Sequence, residues 1–128
     1  MKTLIVDDDC TSRLFLVGVL KDYGVTDVAV DGNEAIKAVS LALESLSPYD
    51  LICLDVIMPG KNGLQILSEI RNRERAREVY PAKVVMITAV SDGNTVLQAI
   101  KEQCDHYLAK PIDKRIVLEE LRKLALIA

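Results

Sequence analysis

The sequence predicts an α/β domain, a parallel sheet of five strands alternating with five helices along 128 residues. Three observations carry that expectation. Short, unbroken apolar runs, clearest at Leu51–Leu54, have the character of strands buried on both faces. Segments with apolar residues at helical spacing follow them. Strand and helix then alternate strictly, at about 20–27 residues per unit, which implies parallel pairing with right-handed crossovers.

The first strand spans Thr3–Val6 and runs into Asp7, Asp8 and Asp9. Thr11 or Ser12 can cap the helix that follows, whose core stripe is Phe15, Leu16, Val19, Leu20 and Tyr23 and which Gly24 ends. A short strand at Val28–Val30 leads through Asp31-Gly32-Asn33 into a second helix carrying Ala35, Ala38, Val39, Ala42, Leu43 and Leu46. Ser47-Pro48 stops that helix. The third strand ends abruptly on Asp55, and Pro59, Gly60 and Asn62-Gly63 make a tight loop before Leu64, Ile66, Leu67 and Ile70 resume helical spacing. This helix is expected to reach Val79, with its Arg71–Arg77 charges on a solvated face. Val84–Ile87 is the fourth strand, ending on Thr88, and Thr95–Gln103 forms a weaker helix. His106–Ala109 is the fifth strand, ending at Lys110-Pro111, and Asp113 caps a last helix through Ile116, Val117, Leu121 and Leu124.

Bulk properties narrow the function classes. No apolar run reaches the ~20 residues of a membrane span, and no signal peptide is visible, so a cytoplasmic protein is expected. The three cysteines, Cys10, Cys53 and Cys104, share no metal-binding spacing and read as reduced thiols. A net charge of −3, no Trp and no basic block argue against direct contact with nucleic acid.

Chemistry collects at the strand ends. Parallel strands present their carboxyl ends at one edge of the sheet, where ligands bind in open α/β folds. Asp7 and Asp8, Asp55, Thr88 and Lys110 therefore converge from four strands. Three neighbouring carboxylates repel unless a cation joins them, and oxygen ligands suit a hard divalent ion such as Mg²⁺. Lys110 adds a compact positive charge and Thr88 a hydroxyl, both suited to an anionic oxygen.

Over its whole length the chain resembles the receiver domain of two-component response regulators, of the stand-alone, chemotaxis-regulator type. The matching pieces are LIVDD at Leu4–Asp8, LDVIMPGKNG around Asp55, MITA at Met86–Ala89 and YLAKP at Tyr107–Pro111. The resemblance implies a flavodoxin-like, doubly wound sheet in the order 2-1-3-4-5, forming one receiver domain over residues 1–128 without an output domain. It implies Asp55 as phosphoacceptor, taking a phosphoryl group from the phosphohistidine of a histidine kinase or histidine phosphotransferase. Asp8, Asp55 and the backbone carbonyl of Ile57 would bind Mg²⁺ (or Mn²⁺) directly, with Asp7 acting through a bound water. Lys110 and Thr88 would hold phosphoryl oxygens, and Thr88 and Tyr107 would act as switch residues that reshape a surface for an unknown downstream target. Asp9 matches no family role and reads as a loop acid, and His106 as surface packing.

Two positions depart from members that lose their phosphoryl group quickly: Ile57 and Val90 are apolar and cannot orient an attacking water, so a long-lived aspartyl phosphate is expected. On the first helix Leu14 and Val17, with Gly18 beside them, fall away from the core stripe; they are either scattered surface hydrophobes or a docking patch for a helical partner. The expectation is a signalling module that assists its own phosphorylation and slow dephosphorylation, rather than an enzyme acting on other substrates. A Mg²⁺-dependent phosphohydrolase is the alternative from another class, and Ile57 stands where such an enzyme needs its second acid. A diffusible switch and a relay intermediate are both compatible with these residues, whereas a degenerate binding-only receiver is disfavoured because every expected active-site group is present.

Overall fold

A computed structural model of the protein describes residues 1–56, 58, 60, 62–88 and 104–128. Five parallel strands form one sheet in the order β2-β1-β3-β4-β5, with β1 at Lys2–Val6, β2 at Val25–Ala29, β3 at Leu51–Asp55, β4 at Lys83–Thr88 and β5 at His106–Ala109. This is the expected doubly wound order. β3 lies at the centre and is buried at all five positions, as its continuous apolar run requires.

Alternation along the strands divides the interior into two layers. Leu4 and Val6, Ile52 and Leu54, and Val84 and Met86 face one side, where they meet Ile36, Val39 and Leu43 of α2 (Gly32–Glu44) and Ile66, Leu67 and Ile70 of α3 (Gly63–Arg77). Ile5, Leu51 and Cys53, and Val85 and Ile87 face the other, against Leu16, Val19 and Leu20 of α1 (Cys10–Leu20) and Val117, Leu118 and Leu121 of α4 (Lys114–Lys123). A side-chain period of two places successive residues of one strand in different layers. The sheet is thus covered on both faces, and its carboxyl edge is left for chemistry.

Several sequence expectations shift. β2 begins at Val25, ahead of the expected Val28, because register with β1 (Lys2 with Val25 through Val6 with Ala29) outweighs the polar Thr26 and Asp27. Asp9, not Thr11 or Ser12, caps α1, accepting from the Ser12 amide at 3.3 Å and the Ser12 hydroxyl at 2.8 Å. Phe15, expected in the core, is 38% exposed. The charges of α3 are not all solvated. Arg71 and Glu74 are both 5% exposed, and Arg71 donates to Glu74 (2.8 Å), to the Ala82 carbonyl (2.8 Å) and to Asp105 (3.2 Å). Helix α3 ends at Glu78, which adopts φ 54°, ahead of the expected Val79. The helix expected at Thr95–Gln103 lies outside the described residues.

The start of α3 is keyed to the end of β3. Asn62 and Gln65 form a reciprocal cap with two 3.0 Å hydrogen bonds. The Gly63 amide donates to the Val56 carbonyl at 2.8 Å. A methyl group on Gly63 would collide with the Asp55 carbonyl and come within 2.7 Å of the Val56 Cα, so glycine is needed here for close approach.

Candidate functional site

Four chain segments deliver polar groups to the carboxyl edge of the sheet. Asp7 follows the last residue of β1, Asp55 ends β3, Thr88 ends β4 and Lys110 follows β5. Asp55 lies opposite Ile87 in the ladder, and Thr88 is one residue further along β4. The Lys110 amide donates to the Thr88 carbonyl at 2.7 Å, which fixes where the Lys110 side chain leaves the sheet.

Lys110 Nζ lies 3.0 Å from Asp7 Oδ2 and 3.3 Å from Asp55 Oδ2, bridging two carboxylates that start 48 positions apart in the chain. Asp7 and Asp55 are 2% and 6% exposed, so their charges are poorly solvated and depend on that ammonium group. Burial alone would lower the pKa of Lys110; its hydrogen bonds and charge pairing with Asp7 and Asp55 outweigh burial and raise it. The ammonium form is held firmly.

Asp8 completes the cluster from the exposed side. One carboxylate oxygen from each of Asp7, Asp8 and Asp55 lies within 4.8 Å of the other two. Three anionic oxygens this close, with one face open, match the donor set of a hard divalent cation that keeps part of its water shell. The residues present fit Mg²⁺, and Mn²⁺ for the same reason.

Asp9 sits next to this cluster but is not part of it. Its carboxylate is engaged by Ser12, and that side-chain hydrogen bond is the largest influence lowering its pKa. Asp9, read from the sequence as a loop acid, thus also caps α1. Thr88 is fully buried and Tyr107 partly so; both have further interactions within the fold. Ile57 and Val90 lie outside the described residues, so the metal-binding carbonyl and the two apolar departures remain sequence expectations.

On α1, Leu14 is 67% exposed and Gly18 has nothing within 4 Å of where its Cβ would be, whereas Val17 is partly buried against the core. Phe15 takes the place the sequence gave to Val17. It lines a cavity of about 480 Å³ with Thr11, Ser12, Lys110, Pro111 and Ile112. The cavity adjoins the site through Lys110 itself. The sequence signal was the run of four consecutive apolar residues Leu14–Val17, which is wider than one helical stripe can bury. His106, expected as surface packing, has its Nε2 3.0 Å from Glu120 Oε2 and so joins β5 to α4.

Comparison with known proteins agrees with this geometry. The model of the response regulator receiver domain matches residues 3–122. Chemotaxis protein CheY of Listeria monocytogenes is 33% identical over 127 residues, covering 98% of this chain and 98% of that protein. Sensor histidine kinase GacS of Pseudomonas protegens is also 33% identical, over 95% of this chain, but the chain spans only 13% of that kinase. Among solved structures, a chain of the CheX-CheY-BeF3-Mg²⁺ complex from Borrelia burgdorferi superposes with a TM-score of 0.85 at 25% identity, over 98% of this chain and 89% of that one. A two-component response regulator from Clostridium difficile gives 0.81 at 28% identity, over 98% and 95%. With its strand order, its clustered acids and its matched length, the chain belongs to the response regulator receiver domain family.

Proposed function

We propose that this receiver accepts a phosphoryl group on Asp55 from the phosphohistidine of a histidine kinase or histidine phosphotransferase. The observation that carries the reading is the Lys110 ammonium group bridging Asp7 and Asp55 at the carboxyl edge of the sheet, 3.0 and 3.3 Å away. In the transfer, an Asp55 carboxylate oxygen forms the new bond to phosphorus. The phosphorus–nitrogen bond breaks, and the departing imidazole nitrogen keeps the electron pair. Such a transfer is mostly positioning and charge neutralisation, because little else is asked of the protein.

Each residue has a share in that work. The start of α3, packed against the Asp55 carbonyl, fixes the backbone from which the carboxylate projects. Lys110 sheds part of its contact with the acids and meets an oxygen of the incoming group, while the Thr88 hydroxyl donates to another. Asp7, Asp8 and Asp55 would hold Mg²⁺, joined by the Ile57 carbonyl as the resemblance implies. When bound, the ion supplies positive charge that lets an anionic nucleophile meet an anionic phosphoryl group. Asp7, Asp8 and Asp55 against Lys110 leave two formal negative charges, which a divalent ion balances.

For partners, the exposed Leu14 and Phe15 and the cavity beside Lys110 support docking of a helical phosphodonor across α1. The readout would be a change in the buried Thr88 and half-buried Tyr107, altering the surface offered to a downstream protein. The CheX-CheY complex among the similar structures supports a protein target of some kind. Residues 1–128 are read as one receiver domain. A phosphohydrolase reading is disfavoured by Ile57, which offers no second acid.

Intact mass after incubation with acetyl phosphate and Mg²⁺ tests the assignment. Wild type is expected to gain one phosphoryl group and Asp55→Asn none; equal labelling would overturn it. Following the labelled protein over time reads the lifetime, expected to be long and to shorten when Ile57 or Val90 is made polar.

A further inference from the structure

Asp8 presents a paradox within the acidic cluster. It is the exposed acid of the three, and among the described residues its carboxylate has no hydrogen bond or ion pair. A mobile carboxylate makes a poor ligand, since its freedom has to be given up on binding. Its position has to come from the chain on either side of it.

Both sides are fixed. Asp7 is held at four points: its amide donates to the Ala29 carbonyl (3.2 Å), its Oδ1 accepts from the Asp9 amide (2.9 Å), its Oδ2 accepts from Lys110 (3.0 Å), and its carbonyl accepts from Arg13 (2.9 Å). Asp9 is held by its capping contacts with Ser12. Arg13 differs from the rest. It reaches back from the first turns of α1 to the carbonyl at which the chain leaves β1, and that carbonyl belongs to the peptide unit shared with Asp8. The Asp7 amide still pairs with β2, but the chain then turns into the loop, and the Arg13 guanidinium supplies the charge-assisted partner the carbonyl needs there.

We propose that Arg13 is a positioning residue for the cation site. It locks the Asp7–Asp8 peptide so that the Asp8 carboxylate is aimed at the divalent ion without a contact of its own. The inference rests on the proposed cation site, and on the Arg13–Asp7 hydrogen bond for its particular claim. A guanidinium suits the task because its planar fork loses little freedom when it forms such a bond.

Mn²⁺ titration followed by electron paramagnetic resonance of the free ion tests this, with thermal midpoints measured on the same samples. Arg13→Ala is expected to raise the Mn²⁺ dissociation constant at least fivefold. Arg13→Lys, which keeps a charged donor, should recover most of that loss, and Lys37→Ala, which removes a charge from the surface of α2, should change it less than twofold. If Arg13→Ala lowers the thermal midpoint but leaves Mn²⁺ affinity within twofold while Asp8→Asn weakens it, Arg13 is merely structural and the proposal fails alone. If wild type binds no Mn²⁺, or Asp8→Asn and Asp55→Asn leave affinity unchanged, the cation-site reading fails and takes the proposal with it. Should Arg13→Ala not fold, Arg13→Gln replaces it, with the same fivefold-or-greater loss expected and an affinity within twofold of wild type overturning the proposal.

Discussion

At the scale of single residues, neighbouring acids in one short loop have different tasks. Asp7 is buried and paired with Lys110, Asp8 is open to solvent, and Asp9 caps a helix. The division follows from backbone direction, since the chain leaves β1 at Asp7 and enters α1 at Cys10. Asp9→Ala should therefore lower the thermal midpoint, whereas Asp9→Asn, still able to accept from Ser12, should keep most of it. Because the Asp9 pKa is lowered in the fold, its contribution is present above pH 3.8 and fades as pH falls below that. Circular dichroism melts of both variants at neutral pH check the first statement; equal losses would contradict it. The strand-end acids, Thr88 and Lys110 were legible in the sequence because each is a polar residue terminating an apolar run. The Asp9 cap and the Arg13 contact were not. A side chain reaching back to a carbonyl six residues earlier leaves no periodic trace.

Among the elements, α3 is the one whose role the sequence understated. Its alternating charges resemble a solvated face, yet Arg71 and Glu74 are buried where the chain folds back from α3 into β4. Glu74 accepts from the Ala82 amide at 2.7 Å, and Asp105 accepts from both Arg71 (3.2 Å) and the Val84 amide (2.7 Å). One guanidinium thus ties α3, the lead-in to β4 and the lead-in to β5. Composition cannot separate such a cluster from a surface stripe, because the difference lies in partners 11 and 34 positions away. Arg71→Ala takes the paired guanidinium from the buried Glu74 and leaves Asp105 with Lys83, 3.7 Å away, and is expected to destabilise the fold by about 3–5 kcal/mol. Urea unfolding measures this, and a loss below about 1 kcal/mol would show that the cluster is well solvated after all. By contrast, the existence and order of the elements was readable almost throughout, because unbroken apolar runs and helical spacing are strong signals in a sheet covered on both faces. Among the strands β2, an edge strand with Thr26 and Asp27 inside it, was placed furthest from where it lies.

For the molecule as a whole, protons are held more tightly by the folded chain than by the unfolded one at the alkaline end. Burial pushes the Cys53 thiol from 9.0 up to about 12. Burial, then the hydrogen bond to Asp27, raises the Tyr49 phenol above its ordinary 10.0, and Lys110 is raised above 10.5 despite its burial. A group whose folded pKa is raised contributes stability that is complete below its unfolded pKa and is lost as pH climbs toward the folded one. Stability should therefore fall progressively from about pH 9 upward, with Cys53 alone carrying at most about 4 kcal/mol. Urea midpoints between neutral pH and about pH 11 check this. Cys53→Val should moderate the decline, and a flat profile would contradict the assignment. Sequence showed the burial of Cys53 inside a strand; the pairing of Tyr49 with Asp27 needed the fold.

The hydrogen bond from the Gly63 amide to the Val56 carbonyl closes the neck of the loop that follows Asp55. Met58, inside that loop, is 6% exposed within the core, so the loop is anchored from within as well as at its neck. A side chain on Gly63 would push the helix start away from the Asp55 carbonyl, so the end of the strand and the start of the helix can only move together. In engineering terms the two share one socket, made of one glycine and one carbonyl.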